Sequence, residues 1–150
     1  MAASETIEAR TSEIAMTARQ RLIVVLLLGT NFMPSVDFSI LNIALPEVGR
    51  AVGLAVADFP WVTSAFALPA AGLSLLFGRL GDIYGRRRMF VAGLALLALA
   101  SLLGGIATGS ALLLGARALQ GIATAMTAPA ALALLITAFA DNGQIGRAHV

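Results

Sequence analysis

The sequence predicts an all-α membrane protein with four transmembrane helices. Three observations carry that expectation. Hydrophobic residues make up 59% of the 150-residue chain and charged residues 12%, too few to coat a soluble domain of this size. Mean hydropathy is +0.90. The apolar residues fall into four runs, each close to the roughly 20 residues that a bilayer core requires.

The elements follow in order. Residues 1–20 carry Glu5, Glu8, Arg10, Glu13 and Arg19 and read as a polar cytoplasmic tail. Three Glu are wrong for the basic start of a signal peptide, and further spans follow. Span one is expected over 22–45, ending at Pro46. Span two is expected over 61–77, with Trp61 as an interfacial anchor or a packed aromatic and Pro69 as the bend. Span three is expected over 89–107 and span four over 111–138.

Arg distribution sets the orientation. Arg10, Arg19 and Arg21 precede span one, and Arg79, Arg86, Arg87 and Arg88 lie between spans two and three. The other connections carry Arg50 against Glu47 and Asp58, or no charge near Gly109. Basic loops stay cytoplasmic, so both ends of the four-span set face the cytoplasm and the lipid bilayer is the chain's first partner. The basic residues flank apolar spans instead of forming a phosphate-binding stripe, so no nucleic acid is expected. The chain has no Cys and a single His, His149, which leaves no metal-ligand cluster. With no nucleophile elbow or phosphate-binding loop either, an enzyme is not expected.

Three stretches carry unusual chemistry. In Val36-Asp37-Phe38-Ser39-Ile40-Leu41-Asn42-Ile43-Ala44-Leu45-Pro46, Asp37 is the only acid inside an apolar span, a costly position that is functional by default. Pro34 lies one turn earlier and frees the carbonyl of Thr30. Asn31 and Asn42 lie about three turns apart on one face. In Leu113–Ala125, Arg117 and Gln120 share a helix face, and Gly121 with Ala125 makes a small-x-x-x-small pair. Pro129 follows and admits a bend or tight packing. Asp37 lies roughly 12 Å from the outer end of its span and Arg117 roughly 9 Å from the outer start of its own, at 1.5 Å per residue. The spans run antiparallel, so these charges are expected to face one polar crevice. The third stretch, Gly78-Arg79-Leu80-Gly81-Asp82-Ile83-Tyr84-Gly85-Arg86-Arg87-Arg88, reads as a loop. Its glycines permit tight turns, and Asp82 can accept from Arg86 or Arg87.

The Gly78–Arg88 pattern, Gly-x-Leu-x-Asp-x-x-Gly-Arg-Arg, resembles the loop between the second and third helices of the major facilitator superfamily. Ile83 departs from the basic residue frequent there. The span-one stretch resembles the Leu-Asp-x-Thr-Ile-Val-Asn-Val-Ala-Leu-Pro sequence of the fourteen-span drug:proton antiporter branch (EmrB/QacA type), with Ser39 for Thr. The span-four stretch resembles Leu-x-x-x-Arg-x-x-Gln-Gly, with Ala123 where Gly is common. The resemblance implies a partial N-terminal bundle over 21–143, in which Asp37 and Arg117 serve proton coupling. It implies that Gly78, Asp82, Gly85, Arg86 and Arg87 latch two halves of a transporter, and that Asn42, Gln120, Gly121 and Pro129 pack helices or line a cavity. It further implies proton-driven efflux of small hydrophobic or cationic substrates across the cell (inner) membrane, with no cofactor beyond the proton gradient and with C-terminal helices absent from this chain. A fragment of this kind is expected to be inactive alone. A metabolite transporter of the same superfamily and a small non-transporting membrane subunit are the alternatives.

Residues Ile145–Val150 can be encoded by a string resembling a common sequencing adapter, with the preceding bases completing the codon for Gln144. Residues 144–150 are therefore expected to be artefactual, the alternative being a genuine polar loop.

Overall fold

A computed structural model describes residues 18–145. The tail up to residue 17 and residues 146–150 lie outside the described residues. The order is α1 (Ala18–Ala51), a short 3-10 turn (Val56–Asp58), α2 (Phe59–Gly72), α3 (Ser74–Tyr84), α4 (Arg86–Gly105) and α5 (Ser110–Ile145). Three of the helices, α1, α4 and α5, are long and apolar enough to cross a membrane, and a fourth span results if the bent pair α2–α3 counts as one.

Helix α1 runs past the expected end at Pro46 to Ala51, through both Pro34 and Pro46. Its last turns are held by packing: Leu45, Val52, Val62 and Leu113 are buried together, with Leu41, Val48, Leu54 and Phe59 against them. Gly49 lies so close to the Phe59 ring that a Cβ there would meet Cε1. The helix stops at Gly53, whose φ of +71° favours glycine. Gly53 N–H bonds the Arg50 carbonyl at 3.2 Å and Leu54 N–H bonds the Gly49 carbonyl at 2.7 Å. That pair of bonds is a Schellman ending, with Leu54 supplying the apolar contact.

The expected bend in span two is present, but it falls four residues after Pro69. Helices α2 and α3 meet at 45° around Leu73. Gly72 and Ser74 flank the break, and the Ser74 hydroxyl bonds the Ala70 carbonyl. A Gly/Ser pair with such back-bonding bends a helix, while Pro69 only withholds an N–H one turn earlier. Trp61 is exposed at the start of α2, where an interfacial anchor belongs.

The Gly78–Arg88 stretch is a loop only at one residue. Gly78–Tyr84 belongs to α3, Arg86–Arg88 opens α4, and Gly85 alone makes the turn at φ +100°, ψ 124°. The expected tight turns at Gly78 and Gly81 are replaced by packing. A Cβ on Gly78 would lie 3.7 Å from Cβ of Pro129, and Gly81 is buried beside Met89. No residue from Gly78 to Tyr84 breaks a helix strongly enough to stop one that neighbours support. Helix α5 likewise continues beyond the expected residue 138 to Ile145.

Helix α5 is the centre of the bundle, in contact with all four other helices. Its approach to α4 runs along small residues. A Cβ on Gly93 would meet Thr127 Cγ2 at 2.6 Å, Ala100 is fully buried, and a Cβ on Gly104 would lie 3.6 Å from Ala116 Cβ. Against α2, Gly121 packs on backbone, since a Cβ there would overlap the Phe66 carbonyl and reach Ala70 N at 3.3 Å. Without a hydrophobic drive between helices in lipid, such close seams supply much of the packing.

Candidate functional site

Packing at one end of the bundle aligns the charged pair. On α1, Asp37, Leu41 and Leu45 recur every four residues along one face. On α5, Leu113 and Arg117 are spaced in the same way, and the helix runs in the opposite direction. Leu41 and Leu45 share one apolar cluster with Leu113, which puts Asp37 and Arg117 opposite each other one turn further along the two helices.

The two meet directly. Arg117 Nη1 donates to Asp37 Oδ2 at 2.5 Å. The same nitrogen donates to Gln120 Oε1 at 2.7 Å, and Gln120 Nε2 donates to Ser101 Oγ on α4 at 3.2 Å. The Arg117 guanidinium carbon lies 5.1 Å from the centre of the Phe66 ring, within cation–π range. Side chains from α1, α2 and α5 thus meet one guanidinium, and α4 reaches it only through Gln120.

The two charges differ in burial. The Arg117 side chain is 4% exposed and that of Asp37 is 43% exposed. Arg117 Nε and Nη2 are buried with no hydrogen-bond partner among the described residues. A guanidinium carries five N–H donors in a fixed fork, and here the polar contacts fall on one nitrogen. A pair held in this way can separate without breaking a bond at the other guanidinium nitrogens.

The other expected residues divide between packing and surface. Gln120 belongs to the charged site, and Gly121 sets the α2–α5 approach. Pro129 lines two cavities, one apolar beside Leu27, Ser74 and Leu132 and one beside Phe77, Asp82 and Arg86. The side chains of Asn31 and Asn42 lie outside those described. At the α3–α4 turn Asp82 accepts from Arg86 Nε at 3.1 Å and Nη2 at 3.0 Å. Both partners are well exposed, and among the described contacts Arg87 makes no bond to Asp82. Ser101 and Phe66 were not singled out from sequence. The one available signal for Ser101 is a lone hydroxyl inside an apolar run.

The family model described as Major Facilitator Superfamily matches residues 27–148. The chain belongs to the major facilitator superfamily. Among curated members, it is 41% identical over 139 residues to the cephamycin export protein CmcT of Amycolatopsis lactamdurans, covering 93% of this chain and 29% of that protein. It is 45% identical over 125 residues to the puromycin resistance protein pur8 of Streptomyces alboniger, covering 83% and 25%. It is 32% identical over 127 residues to the lincomycin resistance protein of Streptomyces lincolnensis, covering 84% and 26%. The chain therefore spans less than a third of the length of these major facilitator relatives.

Proposed function

We propose that this chain supplies the first four spans of a proton-driven exporter of drugs or antibiotics. Its N-terminus would face the cytoplasm across the cell (inner) membrane. The observation that carries the reading is the Asp37–Arg117 ion pair, an acid and a base joined inside apolar helices. Charges at that depth are rare and mark ion pathways. Relatives named for antibiotic export or resistance support outward transport of drugs or antibiotics. The span-one sequence supports the fourteen-span antiporter branch.

In this reading Asp37 exchanges a proton through its exposed side. Loss of its charge leaves Arg117 hydrogen-bonded to Gln120 alone among the described residues. Release of the pair lets α1 and α5 shift across the apolar cluster, one element of alternating access. Substrate would bind between this bundle and helices outside the chain, so the four spans alone would not transport. The Asp82–Arg86 turn would act as the cytoplasmic latch between the two halves.

The test is protection of cells from unrelated toxic compounds by a gene extended to the length of the relatives. Protection that is lost in Asp37→Asn at unchanged expression supports the reading. Protection that survives Asp37→Asn refutes the coupling role. Protection against no compound, with accumulation of one metabolite instead, replaces efflux with uptake.

A further inference from the structure

The Arg117 guanidinium meets Asp37 and Gln120 through Nη1 alone, so its orientation depends on how firmly each acceptor is held. Asp37 is fixed by α1. Gln120 sits one turn from Arg117 on the same helix, but three free torsions separate its carboxamide from the backbone. Left to itself, that carboxamide can swing or turn over, which would bring its NH2 donor against the donor Nη1.

One contact ties it down. The Ser101 hydroxyl on α4 accepts from Gln120 Nε2 at 3.2 Å, while Gln120 itself is only 6% exposed. The small-residue seam makes this reach possible, with fully buried Ala100 beside Ser101 and Gly104 close against Ala116. Ser101 is exposed, so it fills no space in the core.

We propose that Ser101 is a positioning residue: by anchoring the Gln120 carboxamide to α4, it fixes how the Arg117 guanidinium is presented to Asp37. Its functional consequence rests on the coupling reading above, whereas its structural consequence does not. Ser101 touches neither charge and acts through Gln120. It also links the ion pair to α4, so movement along the α4–α5 seam changes the pair without touching α1.

The test has two readouts. In the reconstituted chain, nitrogen-15 NMR of side-chain amides resolves Gln120 from the other Gln and Asn carboxamides, with assignment by its loss in Gln120→Met. Ser101→Ala is expected to move the Gln120 amide and Arg117 guanidinium resonances, and Ser101→Thr, which keeps the hydroxyl, to restore them. In the exporter of full length, Ser101→Ala is expected to lower gradient-driven export roughly threefold, the worth of an average interhelical hydrogen bond in a membrane. KM for substrate stays unchanged and Ser101→Thr recovers the rate. Unmoved Gln120 and Arg117 resonances in Ser101→Ala would overturn the proposal. Equal losses in Ser101→Ala and Ser101→Thr would do the same, because that pattern belongs to packing. If export remains gradient-driven in Asp37→Asn, the coupling reading fails, and the resonances still decide the role of Ser101.

Discussion

Removing the two members of the ion pair should have unequal effects on stability. Asp37→Ala leaves a guanidinium with a 4% exposed side chain facing Gln120 as its one remaining acceptor among the described residues. Stranding a charge in a fully buried pair costs about 3–5 kcal/mol. Here the lost partner was 43% exposed, so part of the pair's strength was already screened and about 2–3 kcal/mol is expected. Asp37→Asn keeps a carbonyl acceptor at the same place and should cost about 1 kcal/mol. Arg117→Met keeps an apolar stem, removes the guanidinium from the Phe66 ring and leaves a carboxylate that reaches the surface, so about 1–2 kcal/mol is expected. The assay is denaturant unfolding in micelles, followed by helical circular dichroism and by emission of the single tryptophan, Trp61. The order predicted is Asp37→Ala worst, then Arg117→Met, then Asp37→Asn. Equally negligible costs for Asp37→Ala and Asp37→Asn would show that the carboxylate does not hold Arg117. A larger cost for Arg117→Met than for Asp37→Ala would refute the burial argument.

Other outcomes follow from the same geometry. Gly121→Ala must push α2 away, because its Cβ would overlap the Phe66 carbonyl, and a cost of about 1–3 kcal/mol is expected in the same unfolding assay. Gly104→Ala is the control and should be near neutral, since its nearest neighbour would be an ordinary contact at 3.6 Å. Gly85→Ala should cost about 1–3 kcal/mol through backbone strain at φ +100°, and helical content near the turn should fall. Asp82→Asn should change stability by less than about 1 kcal/mol, with most of that effect screened by salt, because the Asp82–Arg86 pair is exposed. The chain has no Cys, so single cysteines report topology cleanly. Arg87→Cys should resist a membrane-impermeant thiol reagent in intact cells, and Thr108→Cys should react; the reverse pattern would invert the proposed orientation.

The helical fold was legible because hydropathy and Arg asymmetry act over whole spans and tolerate local detail. The Asp37–Arg117 contact was legible for a similar reason: rise per residue and antiparallel direction place both charges at one depth, and lipid leaves them few other partners. Features set by a single neighbour were not legible. The bend was assigned to Pro69 because proline is the obvious breaker, whereas Gly72 and the Ser74 hydroxyl place it at Leu73. The Gly78–Arg88 stretch read as a loop because three glycines and charge look like punctuation. Packing of Gly78 on Pro129 and burial of Gly81 instead accompany a helix as far as Tyr84. Ser101 joins the site only because the α4–α5 seam is narrow, and that distance depends on Gly93, Ala100 and Gly104 together.

The most direct test of proton coupling is export in inverted membrane vesicles that contain the exporter at full length. An imposed pH gradient, acid inside, is applied to wild type and to Asp37→Asn. The account predicts gradient-driven substrate accumulation in wild type, and in Asp37→Asn none above the level without a gradient, with passive substrate exchange retained. Accumulation in Asp37→Asn that still follows the gradient would contradict it.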